Sequence, residues 1–104
     1  AATDTRLERA SAEYTAEARR AGVPEHCIGG LVRYIVHGIP PGSFLHAVLS
    51  DSLMDALGRA DDENINALPA YGRYLYNSAP GGCFRSPERV AAWIARGGLS
   101  GVSR

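Results

Sequence analysis

The chain has 104 residues, of which 45% are hydrophobic and 21% charged, and eleven basic residues balance eleven acidic ones. A chain of this length forms one domain with a modest core, and abundant Ala, Leu and Arg with few β-branched residues favours helices. Zero net charge supplies no positive field for DNA or anionic membranes, so we predict neither partner. We therefore expect one all-α domain over residues 1–104, a compact bundle of about five helices.

The two cysteines, Cys27 and Cys83, form no C-x-x-C pair, which argues against a zinc site or a redox motif. No apolar run approaches the roughly 18 residues that span a bilayer, and the first residues do not have the pattern of a signal peptide. We therefore expect free thiols, no cofactor and a cytoplasmic protein.

The first third of the chain predicts two helices. The T-R-L-E pattern at positions 5–8 is typical of a capping box, and it predicts a first helix from about Arg6 to Ala21. Its apolar residues form one narrow stripe, so residues 1–22 should lie on the surface or mediate self-association. Pro24 begins a second, central helix that ends at His37. Homo-oligomerisation through the first helix or this glycine-rich second one is expected.

The middle of the chain holds a stiff I-P-P-G turn followed by a helix start. Ser43 is a suitable N-cap for a third helix, and Phe44 begins its buried face. The S-D-S sequence at positions 50–52 either kinks this helix or restarts it. If the helix continues, Asn64 falls on its apolar stripe and Asp61 shares its face. We expect this polar pair to fold back beside the turn.

Pro69 disfavours helix at the residue before it, so we predict a break there and a further helix over residues 70–77. This segment contains three tyrosines and one arginine. Helical spacing directs Arg73, Tyr76 and Asn77 away from its buried face.

The last predicted helix begins after Ser86, which acts as its cap, and Trp93 lies on its buried stripe. Gly97 ends it. We expect residues 24–96 to form the core of the domain and residues 99–104 to form a frayed tail.

No nucleophile motif or third ligand accompanies His37 and His46, so we predict neither catalytic nor metal-binding residues. The helix start at Ser43 can attract an anion. The Asp61 and Asn64 side chains offer a hydrogen-bond acceptor and an amide. The tyrosines and arginine of residues 70–77 can stack on nucleobases and bind phosphates. Caps, a buried hydrogen bond and a protein interface are the structural alternatives. The predicted ligand-binding residues are Ser43, Phe44, Asp61, Asn64, Arg73, Tyr76 and Asn77.

The sequence G-I-P-P-G-S-F-L-H-A-V-L-S-D-S-L, with R-A-D-D-E-N, L-Y-N-S-A-P and S-P-E-R-V-A-A-W after it, resembles a family of small uncharacterised phage and prophage proteins. Its members resemble G-I-x-P-G-x-F-L-x-A-V-L and A-D-x-x-N, and the resemblance covers about residues 31–94. This chain departs from the pattern at positions 51–52, where asparagine-aspartate is frequent, and at positions 84–85, where tryptophan-glycine is frequent.

Small phage proteins of this size are often accessory factors that block a host defence, and the resemblance implies that context. Our first hypothesis is a non-enzymatic binder that sequesters a nucleotide-type signal in the cytoplasm of an infected or lysogenic bacterium. The second is an inhibitor that covers a host defence protein, like an anti-CRISPR or a toxin-neutralising factor. A third, enzymatic hypothesis depends on the histidines and aspartates.

Overall fold

Seven α-helices follow one another in the computed structural model, which describes the backbone of residues 2–101 and the side chains of residues 5–101. They are α1 (Ala2–Ala21), α2 (Glu25–His37), α3 (Ser43–Leu49), α4 (Leu53–Arg59), α5 (Asp62–Asn66), α6 (Leu68–Asn77) and α7 (Pro87–Arg96). Two 3₁₀ turns, Gly81–Cys83 and Gly98–Ser100, flank α7.

The prediction of an all-α fold is confirmed, because no strand occurs within residues 2–101. The Cα radius of gyration is 12.9 Å, which matches the value of about 13 Å expected for a compact chain of this length. The predicted number of about five helices was wrong, since two interruptions divide the middle of the chain.

The first interruption lies at the S-D-S sequence, which restarts the helix instead of kinking it. Asp51 takes a φ of 62°, and the Ser52 amide donates to the Ala47 carbonyl at 2.9 Å. The second lies at Asp61, whose side chain caps α5 by accepting from the Asn64 amide at 2.7 Å. At Asp61, a side chain that bonds to nearby backbone ends a helix even where an apolar stripe continues.

The helix ends in the first third of the chain are partly as predicted. α1 ends at Ala21 and α2 ends at His37, where Gly38 takes the left-handed conformation with a φ of 68°. The helix start was wrong, because α1 begins at Ala2 and Thr5 lies inside it. The capping-box pattern therefore does not mark a helix terminus here.

α2 is the central helix, and its buried polar atoms are paired. Tyr34 and Ile35 are fully buried, and the Tyr34 hydroxyl donates to the Cys83 carbonyl at 2.6 Å. The Trp93 indole N–H donates to the carbonyls of Tyr34 and Ile35, each at 3.1 Å. α7 thus docks on α2 through Trp93, whose ring is buried and whose N–H is hydrogen-bonded.

The turn after α7 packs backbone to backbone against the end of α2. A Cβ atom at Gly38 would lie 2.7 Å from the Gly98 nitrogen, and one at Gly98 would lie 2.6 Å from the Gly38 nitrogen. Within the predicted tail, Leu99 packs against the core, and residues 102–104 lie outside the described residues. Only glycine permits this approach at both positions.

Candidate functional site

An open cleft of about 300 Å³ lies between α4 and α6 and is mostly apolar. We call it the α4–α6 cleft. Leu53 and Ala56 of α4 form one side, and Tyr71, Leu75 and Tyr76 of α6 form the other. The short connection between α3 and α4 and the segment before α7 complete the lining. This volume is at the lower limit for pockets that enclose a drug-sized ligand, so the cleft suits a few side chains or one flat ring.

Both edges of the cleft expose large apolar side chains. Leu53 is 63% exposed and Tyr76 is 72% exposed, and the next residue on α4, Met54, is 78% exposed. At about 100° per helical residue, Leu53, Met54 and Leu57 share one side of α4. Leucine and methionine on a short helix normally face the core, so this exposed apolar surface indicates a binding surface.

One end of the cleft carries a cation stacked on aromatic rings. The Arg85 guanidinium carbon lies 5.3 Å from the centre of the Tyr76 ring and 5.4 Å from that of Phe84. The two rings meet edge to face, with their centres 6.1 Å apart. Among residues 5–101, no carboxylate forms a salt bridge with Arg85. The guanidinium is therefore held in place by the rings while its charge stays available.

The cleft also contains both non-glycine residues with positive φ within the described chain. Asp51 has a φ of 62° and Arg85 a φ of 102°. The Arg85 amide donates to the Leu49 carbonyl at 2.8 Å, which helps hold this backbone. A left-handed conformation costs an ordinary L-residue about 1–2 kcal/mol, and such strain concentrates at functional sites. The strain at both positions makes the cleft the candidate site.

The predicted anion site at the start of α3 is not where the cleft forms. Gly42 is the N-cap, and Ser43 is the first helical residue, so the N-cap assignment of Ser43 was wrong. Phe44 is a core residue whose ring packs edge to face with the Tyr71 ring, with the ring centres 5.5 Å apart. Neither residue lines the α4–α6 cleft.

Asp61 and Asn64 belong to a hydrogen-bonded cluster that joins α2, α5 and α6. The Tyr71 hydroxyl donates to Asn64 Oδ1 at 2.7 Å, and Asn64 Nδ2 donates to Cys27 Sγ at 3.4 Å. Asp61 Oδ2 lies 3.0 Å from His26 Nε2. The hydrogen-bond partners of Asp61 and Asn64 on other helices thus lie on α2 and α6. We had expected this pair to lie beside the proline turn. Asn64 is 4% exposed, so its hydrogen bonds are buried and support the fold.

Two pKa shifts reflect this arrangement. The hydrogen bond from the Asn64 backbone amide, with His26 as a further partner, lowers the pKa of Asp61 below its usual value. Burial raises the pKa of the Tyr71 hydroxyl, which therefore stays protonated and donates to Asn64. The ionised Asp61 carboxylate and the neutral Tyr71 hydroxyl both favour the hydrogen bonds that hold α5 in place.

The other three predicted ligand-binding residues, Arg73, Tyr76 and Asn77, lie in different surroundings. Arg73 is exposed, and its Nη2 atom donates to the Ala21 carbonyl at 3.2 Å, so it caps the end of α1. Asn77 is exposed at the end of α6, outside the cleft. Of the seven predicted ligand-binding residues, Tyr76 alone lines the α4–α6 cleft. Sequence reasoning missed Leu53 and Arg85, which both line the cleft.

Other chemistry is sparse within the described residues. No group of three His, Cys, Asp or Glu side chains there has the arrangement of a metal site. Cys27 and Cys83 are free thiols, and burial raises the pKa of Cys83 to about 12. None of the helices in residues 2–101 is long and apolar enough to cross a bilayer.

The fold and the cleft define a small all-helical protein with an open, strained, aromatic-edged binding surface. No protein-family profile, curated protein or solved structure matches this chain. The functional argument therefore depends on the chemistry of the cleft.

Proposed function

We propose that the chain is a non-enzymatic binding protein whose α4–α6 cleft takes an amphipathic segment of another protein. The observation that carries this proposal is the pair of exposed apolar edges, with Leu53 63% and Tyr76 72% exposed on either side of an apolar floor. A helix with apolar residues at i, i+3 and i+4 buries its side chains in a groove of this kind. Tyrosine and arginine are also the residues that most often dominate the affinity of such interfaces.

The charges at the cleft specify the partner further. Arg85 offers a guanidinium, and Asp51 offers an exposed carboxylate. Neither forms a salt bridge among residues 5–101. The partner segment therefore presents apolar anchors flanked by one acidic and one basic side chain.

The resemblance to phage and prophage proteins supplies the biological context that we propose, an accessory factor that covers a host defence protein in the bacterial cytoplasm. Two backbone angles agree with the resemblance, though they do not bear on the partner. Positions 51 and 85 have positive φ, and at these positions the family pattern frequently has asparagine and glycine, the residues that tolerate positive φ best.

Selection from a library of random helix-length peptides, displayed against the full chain, tests the proposal. We expect enriched peptides with apolar anchors at helical spacing and an acidic flank. Leu53→Asp and Tyr76→Ser should weaken their binding by at least about tenfold. Ile65→Asp is the matched control, because Ile65 is 43% exposed but does not line the cleft. An equal loss with Ile65→Asp, or no enriched peptide, would overturn the proposal.

A nucleotide-type signal is the second candidate, and the stacked guanidinium favours it. Arg85 beside the Tyr76 and Phe84 rings combines a phosphate-binding cation with flat surfaces for a base. Isothermal titration against cyclic dinucleotides and ADP-ribose derivatives tests this function. Heat that is lost in Arg85→Gly would support it, and no heat with any compound would exclude those ligands.

Self-association through α1 or α2 stays a prediction. Light scattering of the purified chain over a concentration series measures it directly. A mass equal to one chain at every concentration would contradict it.

A further inference from the structure

The side of α4 that faces away from the core is apolar and exposed. Leu53, Met54 and Leu57 all lie on this side, and Gly58, four residues after Met54, lies next to them. We call these four residues the α4 outer face. Only Leu53 among them also lines the α4–α6 cleft, so this surface extends beyond the edge of the cleft. Large apolar side chains grouped on one exposed face indicate an interaction surface.

Gly58 has no packing role within the described chain. It lies inside α4 without a positive φ, and a Cβ atom there would have no atom of the described residues within 4 Å. Glycine is the least favourable residue in a helix interior after proline, so alanine would both fit and stabilise α4. Glycine is typical of positions that another backbone approaches closely. Gly58 therefore indicates that a second helix packs against the α4 outer face.

The charges of α4 indicate which helix fits. Asp55 lies in the first turn and Arg59 in the last, about 6 Å apart along the helix axis. Neither forms a salt bridge with any of residues 5–101. Two copies of α4 packed antiparallel bring Asp55 of each copy towards Arg59 of the other, whereas parallel packing brings like charges together. In a two-fold interface residue i contacts j and j contacts i, so α4 is complementary to itself.

We propose that the α4 outer face binds a second copy of this chain, with the two α4 helices antiparallel about a two-fold axis. The apolar side chains of the two faces pack together, Gly58 permits close approach, and Asp55 of each copy pairs with Arg59 of the other. Zero net charge leaves no long-range repulsion between the copies. A seven-residue helix buries little area, so the dimer is weak, with a Kd of about 10 μM to 1 mM.

Self-association of this kind regulates the cleft, a consequence that rests on the function proposed above. Leu53 belongs both to the α4 outer face and to the cleft lining. A second copy packed on Leu53 therefore keeps a foreign segment from that edge of the cleft. Because the dimer dissociates on dilution, the chain at low concentration presents an open cleft.

Sedimentation equilibrium of the full chain from about 10 μM to 1 mM tests the pairing. We expect the mass to rise from that of one chain towards that of two. Met54→Asp should weaken the dimer by at least about tenfold, because it places a charge in the apolar contact. Ile65→Asp is the matched control, since Ile65 is also exposed but lies on α5. A mass of one chain throughout, or a dimer that Met54→Asp leaves unchanged, would overturn the proposal.

Two glycine substitutions separate the pairing from helix propensity. Gly58→Gln and Gly72→Gln each introduce a better helix former where a Cβ atom has open space. Both should raise the unfolding temperature in dilute solution. Gly58→Gln should weaken the dimer by at least about tenfold, whereas Gly72 lies on α6 in the cleft and its replacement should leave the dimer unchanged. Equal effects of the two variants on the dimer would overturn the close approach of the α4 helices.

A peptide selected on the cleft tests the regulatory step. An excess of this peptide should shift the sedimenting mass to that of one chain with one peptide, and a dimer that keeps its mass while it binds the peptide would overturn this step. A monomeric chain that still binds the peptide would refute the self-association alone. A dimer that is lost in Met54→Asp, from a chain that selects no peptide, would refute the peptide-binding function alone.

Discussion

Replacing Arg85 by glycine and by alanine should reverse the usual order of stability of these two residues. In an exposed helix, alanine stabilises a protein by about 0.8–1 kcal/mol relative to glycine. At Arg85 the φ of 102° is unfavourable for alanine and not for glycine. The left-handed conformation costs an L-residue about 1–2 kcal/mol. The greater freedom of glycine in the unfolded chain offsets roughly 0.4–1 kcal/mol of this.

We therefore expect Arg85→Gly to have a free energy of unfolding about 0.5–1 kcal/mol above that of Arg85→Ala. Both variants lose the stacked guanidinium, so the comparison isolates the backbone. Equilibrium unfolding in urea measures the difference, provided that the slopes agree. At Arg9, an exposed position within α1, the alanine variant should be more stable than the glycine variant. If alanine is at least as stable as glycine at position 85, the strain that we infer there does not exist.

Three further outcomes follow from contacts elsewhere in the fold. Gly98→Ala should lower the free energy of unfolding by about 3 kcal/mol or more, because its Cβ would meet backbone at 2.6 Å. Gly101→Ala, at a φ of 68° with no atom of the described residues within 4 Å of the new Cβ, should lower it by only about 1 kcal/mol. Equal thermal shifts for the two variants would contradict the clash. A double-mutant cycle of Asn64→Ala and Tyr71→Phe should give a coupling of about 1–2 kcal/mol, whereas additive effects would exclude their hydrogen bond. Folding lowers the pKa of Asp61 below its ordinary value of 3.8, so the carboxylate stabilises the fold at pH values above 3.8. This stabilisation is lost as the pH falls through the lower pKa of the folded state. The stability advantage over Asp61→Asn should therefore disappear in acid, and an advantage that grows with acidity would refute this sign.

Helix ends with a local cause could be predicted from the sequence. Gly38 and Gly97 both take the left-handed conformation that ends a helix, and the Ser86 side chain accepts from the Arg89 amide at 3.1 Å. The same reasoning failed where two local signals competed. Asn64 continues an apolar stripe, but the side chain of Asp61 ends that stripe by capping a new helix.

The candidate site could not be predicted in the same way, because its parts meet only after the chain folds. The cleft unites residues of α4 and α6 with Arg85, which are separated along the chain. Leucine normally indicates burial, so the exposure of Leu53 has no sequence signature. Position 85 has a conformation suited to glycine but is occupied by arginine, so the residue type there does not indicate the turn.

The contact between Gly38 and Gly98 also has a consequence for the order in which the molecule is made. The central helix cannot reach its final environment until the residues up to Gly98 have been synthesised, since Trp93 and Gly98 supply its last partners. Until then its apolar surface stays open to chaperones and to other nascent chains. Folding of the described helices is thus completed by the last part of the described chain to leave the ribosome.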